Sequence, residues 1–228
     1  MCILSHFFQK MFCFSICKKW FFFDEYVQKA YNILYHYGLV GSKDKMSKST
    51  GGSMMKKLED YVRSIPDFPE EGIIFRDVTS VLQDADGLHL AIDTMQELIK
   101  DLEYDVVAGP ESRGFIFGTP IAYNQHKPFV LIRKKGKLPC ETVSIDYELE
   151  YGTATIEMHK DCIKPGQKVL IVDDLIATGG TTEAMIKLVE SLGGEVVGVV
   201  VLMELAGLNG RAKIADYRLD AAIVYPGK

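Results

Sequence analysis

Residues 169–181 read VLIVDDLIATGGT, and the reading of this stretch decides the fold. Val169, Leu170, Ile171 and Val172 form an unbroken apolar run. A half-exposed strand would alternate with polar residues, so this run predicts a central strand covered on both faces. Asp173 and Asp174 stand at its carboxyl end, where open α/β sheets bind their ligands. Two carboxylates there can accept hydrogen bonds from vicinal ribose hydroxyls or from waters on a metal ion. Ala177, Thr178, Gly179, Gly180 and Thr181 follow with little side-chain bulk. Their backbone N–H groups can close on a phosphate, with two threonine hydroxyls as further donors. Met185, Leu188, Val189 and Leu192 then recur at helical spacing, predicting a helix over 182–192 whose positive N-terminus faces the same phosphate.

Working outward, the chain alternates helix and strand as a parallel sheet requires. Leu88, Ala91, Ile92, Met95, Leu98, Ile99 and Leu102 mark one helix, and residues 105–108 begin a buried strand. Next comes GPESRG, residues 109–114, with Gly109 and Gly114 expected to leave room for backbone to approach a ligand. Residues 128–132 form another apolar strand that runs into Arg133, Lys134, Lys135, Gly136 and Lys137. Four cations in five residues repel one another, so a substrate bearing several phosphate charges would suit them. Residues 138–151 are polar and poorly periodic and predict a mobile loop, a useful cover for a reaction that water would spoil. Strands are expected over 153–158, 195–205 and 221–224. Closer to the start, residues 56–65 place Leu58, Tyr61, Val62 and Ile65 on one helical face, and residues 67–79 read as a loop entering a short strand.

The first 54 residues differ in composition. They are rich in Phe and Cys at first and in Gly, Ser and Lys from 38 to 53, which reads as an extension and linker. A short amphipathic helix is expected over 24–37. Lys45 to Ser49 spells KMSKS, similar to the ATP-loop motif of class I aminoacyl-tRNA synthetases, but the HIGH-type partner motif is missing and we assign it no function. A catalytic domain is expected to begin at Met55 and to run to 228. The formal charge of −5 speaks against a nucleic-acid binder working by bulk electrostatics. Five cysteines with no CxxC pair suggest neither a disulfide framework nor a zinc site, and hence a reducing cytoplasm. No apolar run reaches the roughly 18 residues of a membrane span, and no cleavage site follows the opening stretch.

Four segments stand in order: FRD at 75–77, ESRG at 111–114, LEYG at 149–152 and VDDLIATGGT at 172–181. Together they resemble the adenine phosphoribosyltransferases of the type I phosphoribosyltransferase family, over residues 55–228. The resemblance implies an α/β fold, a mostly parallel twisted sheet flanked by helices, with a small N-terminal hood and a mobile loop. It implies the reaction of adenine with phosphoribosyl diphosphate (PRPP) to give AMP and diphosphate, with Mg2+ held by PRPP and no metal ligand assigned directly to the protein. A cytoplasmic homodimer is implied as well.

By the same resemblance Phe75 stacks on adenine, the backbone around Ile74 and Arg76 binds its edge, and Leu175 presses on the purine. Ser112, Arg113, Arg133, Lys134 and Lys137 meet the diphosphate, while Lys135 faces solvent. Asp173 and Asp174 steer the ribose, and Ala177, Thr178, Gly179, Gly180 and Thr181 hold the 5′-phosphate. Glu150 handles a purine ring proton, and Arg113 and Lys137 complete the catalytic set. Two alternatives share the PRPP loop. One is a transferase for xanthine or guanine, against which the FRD hood and LEYG speak; the other is a non-catalytic PRPP-binding regulator that grips DNA, for which residues 1–54 are too short and too weakly basic.

Overall fold

The computed structural model describes residues 56–149 and 152–227. The extension, with its expected helix over 24–37 and the KMSKS segment, lies outside them. Among the described residues, strands β1 (Arg63–Pro66) and β2 (Ile74–Asp77) form a two-stranded antiparallel ribbon. Strands β3 (Val106–Pro110), β4 (Phe129–Lys134), β5 (Thr142–Leu149), β6 (Gly152–His159), β7 (Lys168–Ile176), β8 (Glu195–Leu205) and β9 (Leu219–Tyr225) form a second sheet. Its order is β5-β6-β4-β3-β7-β8-β9. The five strands from β4 to β9 are parallel, and the β5–β6 hairpin joins β4 antiparallel at one edge. Helices α1 (Thr79–Leu82), α2 (Ala85–Leu98), α3 (Arg113–Asn124) and α4 (Gly180–Ser191) connect them. This is the mostly parallel α/β architecture the sequence predicted, with the ribbon at the place of the expected hood.

Strand β7 explains why its sequence is apolar without interruption. Val169 and Ile171 enter the core on one face with Met185 and Leu188 of α4. Leu170 and Val172 enter the other, with Met95 of α2 and Phe117 of α3. All four strand residues are fully buried. A strand flanked by parallel partners and covered by helices on both faces has no polar side to show.

Gly109 and Gly114 have a different purpose from the expected one. A Cβ on Gly109 would lie 2.8 Å from the Val172 carbonyl, and one on Gly114 would lie 2.4 Å from Cδ of Pro110. These glycines let α3 approach β3 and β7, so their smallness serves protein packing and not ligand approach.

Two further expectations need correction. Residues 56–65 do not form an amphipathic helix: Leu58–Tyr61 is a single 3-10 turn, and Arg63–Pro66 is strand β1. β-Branched Val62 and Ile65 suit an extended chain, and pairing with β2 provides the hydrogen bonds that a longer helix would have supplied. The polar stretch 138–151, expected to be a loop, contains the eight-residue strand β5. Val143, Ile145 and Tyr147 pack on the core at period two, while Thr142, Ser144, Asp146 and Glu148 alternate with them. The number of acids hid that alternation.

Candidate active site

Strands β3 and β7 lie side by side and parallel. The chain leaves β3 for β4 on one side of the pair and leaves β7 for β8 on the other. Their carboxyl ends therefore flank a topological switch point, where the connecting loops diverge and open a crevice. A cleft of about 250 Å³ occupies it. From β3 and the start of α3 it takes Ser112 and Arg113, and from β7 it takes Asp173, Asp174 and Leu175. Ala177, Thr178, Gly179, Gly180 and Thr181 complete its wall.

The acid pair is buried, Asp173 being 7% exposed and Asp174 5%. Burial, reinforced by the neighbouring Asp174, pushes the Asp173 carboxyl well above the ordinary carboxylate range. Asp173 also accepts a 2.8 Å hydrogen bond from the backbone N–H of Asp174. Asp174 Oδ2 stands 2.8 Å from Nε of Arg113, yet this N–H does not point at the oxygen, which has no hydrogen-bond donor. A buried carboxylate that lines the cleft with a cation beside it and one oxygen without a hydrogen-bond donor is chemically suited to accept from a hydroxyl brought by a ligand.

The loop after the pair carries no charge. Gly179 adopts φ +79° and turns the chain into α4, which begins at Gly180, two residues earlier than the periodicity predicted. Gly180 and Thr181 thus belong to the first helical turn, whose N–H groups have no intrahelical acceptor and are available to an anion. The loop is backed by a segment remote in sequence. A Cβ on Gly179 would lie 2.4 Å from the Gly210 carbonyl, and one on Gly210 would lie 2.2 Å from the Ala177 carbonyl. Arg211 binds both oxygens of Glu204, at 3.0 and 2.6 Å, and the Leu219 carbonyl at 2.8 Å, so the Gly210 turn is pinned in place.

Not every predicted residue reaches this cleft. Ile74, Phe75 and Arg76 belong to the ribbon, where Phe75 packs edge-on against Phe68 at 5.3 Å between ring centres. Arg76 lies 4.1 Å from the ring centre of Tyr225 and binds Ser64, tying the ribbon to β9. Arg133, Lys134 and Lys137 also stand outside its lining. Arg133 donates to Glu111 through Nε at 3.0 Å and Nη2 at 2.9 Å, while Lys134 and Lys137 are exposed. Glu150 lies outside the described residues.

Sequence reasoning missed Glu111, Tyr147 and Gly210. Glu111 and Tyr147 line the cleft. Burial alone would raise Glu111, but the Lys134 N–H and the Arg133 guanidinium outweigh it and hold the carboxyl below its usual range. Tyr147 arrives on β5, whose Glu148 carbonyl would stand 3.1 Å from a Cβ on Gly180. The period-two pattern 143–147 was the signal that could have found it; no local pattern announces Gly210.

These features have counterparts in known proteins. The phosphoribosyl transferase domain family matches residues 77–225. An adenine phosphoribosyltransferase of Lachnoclostridium phytofermentans is 71% identical over 174 residues, covering 76% of this chain and 100% of the relative. The crystal structure of adenine phosphoribosyltransferase from Thermoanaerobacter pseudethanolicus superimposes with a TM-score of 0.71 at 49% identity, over 74% of this chain and 98% of that one. That from Saccharomyces cerevisiae, complexed with an imino-altritol bisphosphate and adenine, gives 0.68 at 37% identity over 72% and 96%. With the acid pair, the glycine-threonine loop and the β3–α3 loop meeting at one switch point, the similarity spans the site as well as the scaffold, and the chain belongs to the phosphoribosyl transferase family, among its adenine phosphoribosyltransferases.

Proposed function

We propose that this chain is a purine-salvage glycosyltransferase that joins adenine to PRPP, releasing AMP and diphosphate. One observation carries the reading: the Asp173–Asp174 pair, one of whose oxygens lacks a hydrogen-bond donor, lines the same cleft as an uncharged loop leading into a helix N-terminus. A ribose 5-phosphate has that same polarity, with hydroxyls to donate at one end and a dianion to be surrounded at the other. The saccharomycete relative supports the base, since adenine is bound in its structure.

In the reaction the bond from C1 of the ribose to diphosphate breaks and a bond from C1 to a ring nitrogen of adenine forms. Asp173 and Asp174 hold the ribose hydroxyls, and the Ala177–Thr181 loop holds the 5′-phosphate. The sugar is thereby fixed at both ends while C1 moves toward the base. Ser112, Arg113, Arg133, Lys134 and Lys137 carry the negative charge of the departing diphosphate, and Glu150 takes the ring proton that adenine loses. Leu175 lines the cleft and is assigned to the purine; Ile74, Phe75 and Arg76, on the ribbon outside that lining, are assigned to the base by family resemblance.

Among the described residues no group of three or more His, Cys, Asp or Glu is placed to hold a metal ion. A magnesium ion held by PRPP oxygens would need no ligand from the protein, and the acid pair in the cleft could accept hydrogen bonds from its waters. Such an ion would supply charge neutralisation on the diphosphate. A homodimer is supported by exposed Ile116, Tyr123 and Leu131, three apolar or aromatic side chains on neighbouring α3 and β4. The described residues contain no helix long and apolar enough to cross a membrane, and Cys140 and Cys162 are free thiols. Residues 1–54 are dispensable in this reading, because relatives align over 174 residues, the length from Met55 to Lys228.

The test is conversion of adenine, guanine, hypoxanthine and xanthine with PRPP and Mg2+, followed as nucleotide formed. Adenine is expected to react with strong preference. Reaction with an oxopurine would keep the PRPP site and discard the assignment of Ile74, Phe75 and Arg76, and no reaction with any base would favour a PRPP-binding regulator.

A further inference from the structure

The buried charged side chains of the described residues are Asp173, Asp174, Glu204 and Glu157. The first two belong to the cleft and Glu204 is paired with Arg211. Glu157, on β6 and 4% exposed, makes no ion pair among the described residues and does not line the cleft. A buried carboxylate with no cation needs other partners, and here they are backbone N–H groups. Oε1 accepts from the N–H groups of Lys137 and Leu138, each at 3.0 Å, and Oε2 accepts from Oγ1 of Thr142 at 3.4 Å. Gly136, at φ +78°, bends the chain so that successive N–H groups converge on one anion.

The segment held in this way is the basic turn. Its other end is held by Glu111, whose Oε1 accepts from the Lys134 N–H at 2.9 Å and whose Oε2 accepts from Arg133. Arg133 closes the ring by donating through Nη1 to the Lys137 carbonyl at 3.0 Å. Both acids bind mainly through the main chain or Arg133, so the ammonium groups of Lys134 and Lys137 stay exposed and without an acidic partner among the described residues. Four like charges in five residues would spread apart in a free turn. An ordered turn spares substrate binding the entropy of arranging them.

We infer that Glu157 is a positioning residue for PRPP: it fixes the Lys134–Leu138 turn from behind so that its lysines meet the diphosphate. The inference rests on the reading that Arg133, Lys134 and Lys137 bind that group. The N–H of Leu138 foremost, with those of Gly136 and Lys137 and against the raising effect of burial, holds the Glu157 carboxyl below its usual range, so it is ionised at neutral pH.

The experiment measures KM for PRPP and for adenine in Glu157→Ala, Glu157→Asp, Glu157→Gln and, as a control on the underlying reading, Lys137→Ala. Glu157→Ala is expected to raise the PRPP KM about tenfold and to leave the adenine KM within about twofold. Glu157→Asp keeps the charge but loses the reach, and should raise the PRPP KM in the same direction. Glu157→Gln keeps an acceptor oxygen and should recover most of the loss. If Glu157→Ala fails to fold, Glu157→Asp decides. A raised PRPP KM in Lys137→Ala with unchanged KM values in the Glu157 variants, or equal rises for both substrates, overturns the inference. An unchanged PRPP KM in Lys137→Ala overturns the diphosphate reading itself.

Discussion

The two halves of the candidate site are built in opposite ways. The half proposed to hold the ribose phosphate runs from Asp173 to Thr181, nine consecutive residues that leave one strand and enter one helix. The half proposed to meet the diphosphate is assembled from Glu111 after β3, Arg133 at the end of β4 and Glu157 within β6. A contiguous cradle owes its shape to local dihedrals and a helix end, whereas an assembled one owes it to hydrogen bonds between strands. Substitution should therefore act on them differently: directly on ligand contact in the first, and through the shape of a turn in the second.

The largest effect is expected at the contact itself. Asp174→Asn replaces the carboxylate beside Arg113 by a neutral amide and should lower kcat/KM for PRPP about 100-fold, roughly 2.7 kcal/mol. Unchanged PRPP kinetics would remove the acid pair from the ribose and break the comparison. Next comes the one place where the contiguous half leans on a distant segment. Gly210→Ala puts a methyl group into the Ala177 carbonyl, and is expected to raise the PRPP KM about tenfold and to cost about 1–3 kcal/mol in stability. A PRPP KM within twofold of wild type would mean that the loop holds its shape without the Gly210 turn.

A smaller effect concerns stability. Because Asp173 has a raised pKa in the folded protein, folding favours its proton, and that contribution is complete below the unfolded value near 3.8 and is lost as pH rises through the folded value. Asp173→Asn removes the penalty of a buried charge, so its Tm should exceed that of wild type at pH 8, and the gap should close as pH falls toward 4. A constant gap would assign the effect to packing. The smallest effect belongs to Lys135→Ala, expected to change neither KM by more than about twofold, since the proposed site draws on Lys134 and Lys137 and assigns Lys135 no contact. A loss matching that of Lys137→Ala would show that the turn acts by total charge and not by shape.

The contrast also explains what could be read before the structure was known. Val169–Val172 and the acids and glycines after them could be read as strand, site and loop because each feature depends on its neighbours. The same dependence misled at 56–65, where apolar spacing fits a helix but pairing with β2 makes Arg63–Pro66 a strand. At 142–149 abundant acids concealed a period-two face that becomes evident only against α4 and the core. The roles proposed for Ile74, Phe75 and Arg76 came from resemblance, and the ribbon they occupy stands beside β9, outside the lining of the cleft.

The α/β class, the central strand, the acid pair at its end and the small-residue loop after it follow from the sequence, since period, chain order and residue size are local properties. That Glu111 and Glu157 brace a basic turn, and that Gly210 backs the loop at 177–179, is set by tertiary structure. It alone decided, too, that Gly109 and Gly114 serve packing. Each of these depends on which atoms from distant segments come within contact distance, and neither composition nor spacing carries that information.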